Sequence, residues 1–516
     1  MGSIKNRMKR IVIASLIILA GGLGYATLTR GHSWGDDFAC YIMQAKSVTE
    51  GTPEIFTEEN RFTVEHSSHR FGPVVCPWGT PILLSPLYLL FGMNLLALKS
   101  LNLICYIIFL SLMGVFLFRK LNLLGLALLI SLFGFNPEMI SSLNDILADI
   151  PFLLCSTVTI FLIGKVIISR RCFLSRAVDR ILLGLLAAAA FFIKPNGILL
   201  VAVLACVEIA EFIRSKRNNP SGRDRSAEGR PHPPRLDLKF SAISLLPYVT
   251  FIGAFLIWEY FFPQSNTAYS VVLKPLPIRE LPGRLLYYLT LPARFFAGGQ
   301  YAFLLYYATL PFLAAGIIKS VRRDYQMLLY SLFMLMALSS ISTKAGLRYF
   351  FPVLPFYLYF VLTGLQFNFK GAAARSVRAA QILMLALLIL VSLCFLRAST
   401  YRAIDNIRNH REAGGPFRIS GREMFSFIRE EVPEDAVVVF FKPRLMRMLT
   451  GRRSIMIDQP DGLDRGTHLC ICRAEFALEQ LPETTVQPLV KSGILRRIFK
   501  NSTFFIYRIG EPAKGR

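Results

Sequence analysis

The stretch SWGDDFACYIMQAKSVTEG, residues 33–51, begins a few residues after the first long apolar run of the chain. It contains two adjacent carboxylates, Asp36 and Asp37. Adjacent like charges repel each other, and near a bilayer each is costly unless it is solvated or paired. The pair therefore belongs either to a wet loop or to a chemical site, and the rest of the sequence decides between the two.

Composition indicates a membrane protein. Of the 516 residues, 53% are hydrophobic and 18% are charged, and the mean hydropathy is +0.48. Soluble domains average about 45–50% apolar and about 25% charged residues. The apolar residues are grouped in runs of roughly 17–23, the length that crosses about 30 Å of hydrocarbon as a helix. We predict a polytopic α-helical membrane protein.

The net charge of +25 does not indicate a nucleic-acid-binding protein. The basic residues are not collected in one stripe interleaved with aromatic residues. They form short clusters between the apolar runs, as the positive-inside rule requires. The N-terminal KNRMKR, residues 5–10, precedes an apolar run that we interpret as an uncleaved first span with its N-terminus in the cytoplasm.

The apolar runs and basic clusters together predict about eleven spans. The hairpin around Lys194-Pro195-Asn196-Gly197 accounts for two short spans within 177–213. The others are placed at about 11–29, 97–118, 121–139, 149–168, 240–262, 301–318, 325–341, 350–366 and 379–397.

Two further segments complete the predicted organisation. Residues 1–397 form the membrane domain, in which 30–96 is the first external loop and 214–239 is a Pro-, Gly- and Arg-rich disordered cytoplasmic loop. Residues 398–516 form a small extracytoplasmic α/β domain, in which four stretches have strand character. These are Ala436–Phe441, RSIMID (453–458), THLCICRA (467–474) and TFFIYRIG (503–510).

Cys40 and Cys76 fall in the same predicted external loop. A disulfide between them and a pair of free buried thiols are both compatible with the sequence.

With this topology, ionisable residues at the ends of spans collect on one side of the membrane, which suggests a shared cavity. Simpler interpretations exist: Asp145 and Asp149 also suit helix capping, and Lys194 also suits an interfacial lysine. His66 and His69 lack a fixed third partner, so no metal site is predicted. The candidate residues are Asp36, Asp37, Tyr41, Arg70, Asp149, Lys194, Lys344, Arg348 and Tyr349.

Several segments, in this order, resemble the GT-C class of membrane glycosyltransferases, which includes protein O-mannosyltransferases and the lipid A aminoarabinose transferase. Two departures are visible: Asp-Asp stands where the class often has Asp-Glu, and Trp78 stands where a second Pro is usual. The similar segments are residues 35–51, CPWGTPILLSPLYLLFG (76–92), LNDILADIPFLL (143–154), FFIKPNGILL (191–200), LRYFFPVLPFYLY (347–359) and VVFFKPRLMRMLTGRRS (438–454).

The resemblance implies re-entrant helices in the first external loop and transfer of a sugar from a polyprenyl-phosphate donor to a lipid, glycan or protein acceptor. It implies an inner-membrane enzyme that acts by inverting displacement on the outer face, and it leaves divalent-metal dependence open. Asp36 occupies the position of the general base, and Asp37 orients substrate or shares that role. A carboxylate suits this step because the acceptor hydroxyl must lose a proton.

The same resemblance assigns the remaining candidates to substrate binding. Fixed cations stabilise the phosphate that leaves, and Lys194, Arg348, Arg70 and Lys344 are suitable for this. Tyr41 and Tyr349 are placed to hold sugar or phosphate oxygens, and Asp149 lies in the later acidic motif. The main alternative is a transporter or flippase of lipid-linked sugars, although no internal repeat is visible. A membrane scaffold that displays the C-terminal domain is a third.

Overall fold

The computed structural model of the chain describes residues 2–69, 71–170, 173–218, 238–263, 277–296, 300–341, 344–367, 374–409, 414–473, 477 and 479–510. The first part is helical: α1 (Gly2–Thr27), α2 (Asp37–Glu50), α3 (Pro53–Glu65), α4 (Gly79–Phe91), α5 (Leu95–Leu117), α6 (Leu123–Gly134), α7 (Pro137–Ser142), α8 (Asp149–Ile163), α9 (Arg176–Ile193), α10 (Ile198–Asn218), α11 (Leu238–Phe261), α12 (Leu281–Thr290), α13 (Gln300–Ser339), α14 (Leu354–Leu365) and α15 (Ala374–Arg408).

The predicted multi-pass membrane protein is confirmed. Within the described residues, seven helical segments are long and apolar enough to cross a membrane: Ile4–Thr27, Leu95–Leu117, Asp149–Ile168, Pro195–Ser215, Ala242–Phe261, Tyr301–Ser339 and Ala374–Arg408. Helices α6, α9 and α14 lie at three further predicted spans but are shorter. Helix α13 covers two predicted spans, which are joined across a kink at Asp324 (φ −129°, ψ 22°).

The chain departs from the predicted boundaries at two places. The predicted span 121–139 is interrupted, because α6 ends at Gly134 and the Asn136 side chain accepts hydrogen bonds from the backbone N–H groups of Glu138 and Met139 to start α7. Pro137 is suited to the first position of that new helix. The predicted disordered loop 214–239 begins later than expected, because α10 continues to Asn218; residues 219–237 lie outside the described residues.

Helix α4, within the segment 30–96 that follows the first predicted span, packs against α2, α5 and α9. Its first residue, Gly79, lies so close to α9 that an added Cβ would be 2.5 Å from the carbonyl carbon of Phe192. The preceding residue, Trp78, is buried and donates its indole N–H to the carbonyl oxygen of Pro263 at 3.0 Å. These contacts hold the short helix against the end of α9, immediately before Lys194.

We expect Gly79→Ala to destabilise the protein by about 1–3 kcal/mol, because the new methyl group overlaps backbone atoms that cannot move aside as a side chain does. The melting temperature of the purified protein in detergent measures this effect. Gly283→Ala in α12 is the matched control, because a Cβ there meets no atom within 4 Å and alanine favours the helix. Equal melting temperatures for the two variants would show that the contact at Gly79 is not tight.

The predicted small C-terminal sheet is confirmed. It comprises β1 (Val437–Val439), β2 (Arg453–Ile455), β3 (His468–Cys472), β4 (Leu495–Lys500) and β5 (Phe504–Ile509), in the order β2-β1-β3-β5-β4. The pairs β1–β2 and β1–β3 are parallel, whereas β3–β5 and β4–β5 are antiparallel. Around it lie α16 (Ile419–Glu431), α17 (Pro443–Thr450) and α18 (Glu483–Lys491). Sequence reasoning missed β4, an edge strand whose residues are mostly exposed.

The C-terminal sheet domain contacts the segment 30–96 directly. Trp34 packs against Phe441 with ring centroids 5.2 Å apart. Ser67 Oγ accepts a hydrogen bond from the backbone N–H of Met456 at 2.9 Å, and the backbone N–H of Ser68 donates to the Met456 carbonyl at 2.8 Å. The sheet domain therefore forms one wall of the region that contains Asp36 and Asp37.

Candidate active site

Three segments that are far apart in the sequence bring charged side chains together at one end of the helix bundle. Lys194 Nζ donates to Asp149 Oδ1 at 2.6 Å and lies 4.2 Å from the ring centroid of Tyr349. The guanidinium carbon of Arg348 lies 5.2 Å from the same ring. We call Asp149, Lys194, Arg348 and Tyr349 the charged cluster.

Local backbone structure explains the position of Lys194. The residue is extended (φ −153°, ψ 131°), and Pro195 begins a single 3₁₀ turn, Pro195–Gly197, that leads into α10. At Gly197 an added Cβ would lie 2.3 Å from the backbone nitrogen of Phe191, so glycine is needed for the chain to fold back on α9. The Lys194 side chain is 17% exposed and its partner Asp149 is 9% exposed, so the pair is largely removed from water.

Asp149 lies in the first turn of α8, but the N-cap residue is Ala148, no side chain caps the helix, and the Asp149 carboxylate is bound to Lys194. A carboxylate at a helix N-terminus is stabilised by the helix dipole and by the lysine together. A lysine that only extended to the membrane interface would have its ammonium group in water, whereas that of Lys194 is paired with Asp149. Asp149 therefore orients one of the two cations of the charged cluster.

Asp37 and the charged cluster act on each other electrostatically. Asp37 is exposed and begins α2. Burial lowers the pKa of Arg348, but the carboxylates of Asp149 and Asp37 raise it, and the net shift is upward. Arg348 thus stays cationic, and the exposed carboxylate of Asp37 interacts electrostatically with it.

Asp36 has a different environment from its neighbour. Its Oδ1 accepts hydrogen bonds from the backbone N–H groups of Arg444 at 2.9 Å and Leu445 at 3.3 Å, at the start of α17. Its Oδ2 lies 3.6 Å from Arg444 Nε and has no hydrogen-bond partner among the described residues. Burial raises the pKa of Asp36 to about 6, against the opposing effect of the Arg444 guanidinium.

Sequence reasoning missed Arg444, which is 1% exposed. Its Nε donates to Asn60 Oδ1 at 3.3 Å, and one terminal nitrogen donates to the carbonyl oxygen of Pro73. It connects the sheet domain to α3 and to the segment before α4. The only signal was KPRLMRML, residues 442–449, where Pro443 begins a helix and places the arginine in its first turn.

The pH dependence of stability should reveal the buried carboxyl of Asp36. The pKa of Asp36 is about 6 in the folded protein and about 3.9 in the unfolded chain. The Asp36 carboxyl therefore contributes fully to the free energy of unfolding below about pH 4, and this contribution is lost as the pH rises through 6. Because Asn is always neutral, we expect Asp36→Asn to melt at a higher temperature than the wild type at pH 8. The difference should shrink as the pH is lowered to 5.

The matched control is Asp435→Asn, which removes an exposed carboxylate from the same domain. Its melting temperature should follow that of the wild type at every pH. A difference between Asp36→Asn and the wild type that does not change with pH would contradict the raised pKa.

The remaining predicted residues are placed as follows. Tyr41 is buried in α2, and its side chain packs in the hydrophobic core. Lys344 is exposed, and its Nζ lies 5.5 Å from the ring centroid of Tyr287 on α12 rather than on the ring of Tyr349. Arg70 lies outside the described residues.

Cys40 and Cys76 are adjacent in the fold. Their sulfur atoms are 3.2 Å apart, and both residues are buried as thiols. An S–S bond is about 2.05 Å long, so the two sulfurs are not bonded here. Gln44 holds the segment in place, because its amide nitrogen donates to the Cys76 carbonyl at 2.9 Å and its amide oxygen accepts from the Cys76 N–H at 3.1 Å.

Among the described residues, no group of three or more His, Cys, Asp or Glu side chains is arranged to hold a metal ion. His69 instead lies 3.4 Å from the carboxylate of Asp458 in the sheet domain.

Comparison with solved structures identifies the fold as that of the GT-C glycosyltransferases, as the sequence resemblance predicted. ArnT from Cupriavidus metallidurans, a lipid A aminoarabinose transferase, matches in its apo state with a TM-score of 0.58 at 10% identity, over 96% of this chain and 97% of that one. The same ArnT bound to undecaprenyl phosphate matches with a TM-score of 0.55 at 12% identity, over 98% and 99% of the two chains.

A second protein has the same fold. The archaeal oligosaccharyltransferase AglB from Archaeoglobus fulgidus, in complex with an inhibitory peptide and a dolichol-phosphate, matches with a TM-score of 0.51 at 12% identity, over 97% of this chain and 74% of that one. No protein-family model and no curated protein sequence matches the chain. At these identities the likeness concerns the fold.

Proposed function

We propose that this protein is a membrane glycosyltransferase that moves a sugar from a polyprenyl-phosphate donor to a lipid, glycan or protein acceptor. The observation that carries the proposal is the charged cluster, in which two cations lie at one end of an apolar helix bundle. One of them, Arg348, interacts electrostatically with the exposed carboxylate of Asp37. The fold supports the proposal, because ArnT has been solved with undecaprenyl phosphate and AglB with a dolichol-phosphate.

Lys194 and Arg348 suit the departing phosphate. As the glycosidic bond breaks, negative charge grows on the phosphate that the sugar leaves, and cations already fixed nearby stabilise this state more than the ground state. Lys194 is fixed by Asp149 and by the ring of Tyr349. Arg348 lies against the ring of Tyr349, and its fork of N–H donors can bind two phosphate oxygens.

Asp37 is better placed than Asp36 to be the general base. An acceptor hydroxyl must approach within about 3 Å of the base. The Asp37 side chain is exposed, whereas both oxygens of Asp36 face α17 and Arg444. We therefore transfer the base role, which the sequence suggested for Asp36, to Asp37. Asp36 then holds the sheet domain against the loop that presents Asp37.

The expected reaction is a direct inverting displacement. Asp37 takes the proton of the acceptor hydroxyl, the acceptor oxygen attacks the anomeric carbon, and the polyprenyl phosphate leaves toward Lys194 and Arg348. The ring of Tyr349 lies 4.2 Å from Lys194 Nζ and 5.2 Å from the guanidinium carbon of Arg348, and its hydroxyl is suited to contact phosphate or sugar oxygens. The reaction needs no covalent sugar–enzyme intermediate.

The corresponding membrane arrangement is a multi-pass protein of the bacterial inner membrane with about eleven spans and its N-terminus in the cytoplasm. The charged cluster and the sheet domain then lie on the outer side. The short helices α6 and α14 would count as spans because most of their side chains are buried among longer neighbours. The 18-residue α9 would count as a further span, and α13 would cross twice around its kink at Asp324. A cysteine-accessibility scan of the loops tests this topology.

The function is tested by incubating the purified protein with membrane extracts and radiolabelled undecaprenyl-phosphate sugars, and by mass spectrometry of glycans and lipids in cells with and without the protein. A new glycosidic bond that depends on the protein supports the proposal. Movement of labelled lipid across a vesicle membrane without any new bond would overturn it in favour of a transporter.

A further inference from the structure

A cavity of about 820 Å³ lies at the end of the helix bundle opposite the charged cluster. Helix α1 begins beside this cavity, and α5 and α8 end beside it. At the other end of the same helices, α1 leads to Asp37 and α8 begins with Asp149. The two sites are therefore separated by the length of these helices and do not share residues.

Cations dominate the polar part of this cavity. The basic side chains that line it are those of Arg10, Arg119, Lys120, Lys165 and Arg323. Asp324, which also lines it, is already neutralised: Lys120 donates to its Oδ1, and the hydroxyl of Tyr359 donates to its Oδ2 at 2.7 Å. The described lining therefore carries an excess of positive charge, from residues of α1, the turn after α5, the π-helical turn after α8, and α13.

A buried amide faces the same cavity. Gln326 is 1% exposed, lines the cavity, and has an amide oxygen without a hydrogen-bond partner among the described residues. Its side chain fits because residue 164 is glycine: a Cβ there would lie 2.3 Å from Gln326 Nε2. A buried polar atom without a partner is unfavourable, so this position is suited to a polar ligand or to a water that the ligand holds.

Two backbone irregularities shape the cavity. Helix α8 ends in a π-helical turn, Gly164–Ile168, and α13 has non-helical dihedral angles at Asp324. Single π-helical turns are rare and occur frequently at functional sites. Here both irregularities include residues that line the cavity. They interrupt the regular packing of α8 and α13 beside the cavity.

Apart from Ser111 and Ser169, the rest of the lining is apolar or glycine. Ile13 and Ile17 of α1, Val115 and Phe116 of α5, and Phe161 of α8 contribute to it. Apolar side chains beside an excess of cations match a ligand with a charged head and a hydrocarbon chain.

We propose that this cavity binds the phosphate headgroup of an anionic lipid, with an acyl chain along the apolar wall. The shared chemistry is a phosphate group, which a lipid or free phosphate can supply, and the apolar wall favours the lipid. Under the proposed topology the bound lipid comes from the cytoplasmic leaflet. This site is separate from the proposed catalytic site, and its test does not use sugar transfer.

Native mass spectrometry of the full-length protein in detergent tests the proposal. We expect phosphatidylglycerol to remain bound and phosphatidylcholine with the same acyl chains to bind at least about ten-fold more weakly, because only the first has a net negative head. Equal binding of the two lipids would overturn the proposal. Stabilisation by inorganic phosphate alone, without a retained lipid, would overturn the lipid as the source of the phosphate.

A pair of double variants locates the site. Arg119→Gln with Arg323→Gln removes two exposed cations from the lining, and we expect phosphatidylglycerol binding to fall about ten-fold. Arg375→Gln with Arg378→Gln removes two exposed arginines from the start of α15, outside the lining, and should leave binding unchanged. If both double variants lost phosphatidylglycerol binding equally, the lipid would be attracted by the net charge of the protein rather than by this cavity, and the proposed site would be overturned. Melting temperatures verify that each variant is folded.

Discussion

Replacing Asp37 by Asn should lower the rate of sugar transfer by about 10²–10⁴-fold, the usual contribution of a general base. The amide cannot accept the proton of the acceptor hydroxyl, whereas the size of the side chain is unchanged. Asp37 is exposed at the start of α2, so the variant should fold as the wild type does. Single-turnover transfer from a labelled polyprenyl-phosphate sugar measures the effect.

Asp36→Asn is the informative companion to this variant. Its side chain can still accept the two backbone hydrogen bonds from α17, so we expect it to keep most of the transfer activity. Asp435→Asn, an exposed carboxylate of the sheet domain, should keep all of it. If Asp36→Asn lost activity and Asp37→Asn kept it, Asp36 would be the base, as the sequence alone suggested.

Arg348→Met should lower the turnover number by about 10²–10³-fold, the range seen when one fixed electrostatic stabiliser of a transition state is removed. The loss should appear in kcat more than in KM for the donor, because the charge on the phosphate grows only as the bond breaks. Transfer rates at saturating donor give kcat, and the dependence on donor concentration gives KM.

Arg348→Lys should recover part of the activity, because lysine restores the charge without the two-pronged geometry of the guanidinium. Arg402→Gln is the matched control. Arg402 is an exposed arginine near the end of α15, where it donates to the carbonyl of Pro137 at 3.0 Å. If Arg348→Met kept its turnover number, the charged cluster would not stabilise the leaving phosphate.

Much of the fold follows from local patterns. Apolar runs long enough to cross a bilayer must form helices, because hydrocarbon offers backbone groups no other hydrogen-bond partners. The helices around Lys194 were predictable because Pro195 and Gly197 end one helix and start the next. Four strands of the sheet domain were visible as hydrophobic stretches, whereas β4 was not, since its exposed edge carries Arg496 and Arg497.

Part of the candidate site was also predictable. Asp149, Lys194 and Arg348 lie at helix ends that the topology places on one side of the membrane. That topological argument collects residues at one end of the bundle but gives no distances within it. The contact between Lys344 Nζ and the ring of Tyr287 on α12, at 5.5 Å, was one of the distances that the sequence did not give.

By itself the sequence determined that this is a helical membrane protein with polar groups at one end and a small sheet at its C-terminus. Only the tertiary structure decided which polar groups meet. The ion pair of Asp149 and Lys194 depends on how α8 packs against α9, and Asp36 faces Arg444, whose position in the chain is more than 400 residues away. Adjacent residues at the start of a helix point in directions about 100° apart, so packing alone distinguishes the buried Asp36 from the exposed Asp37.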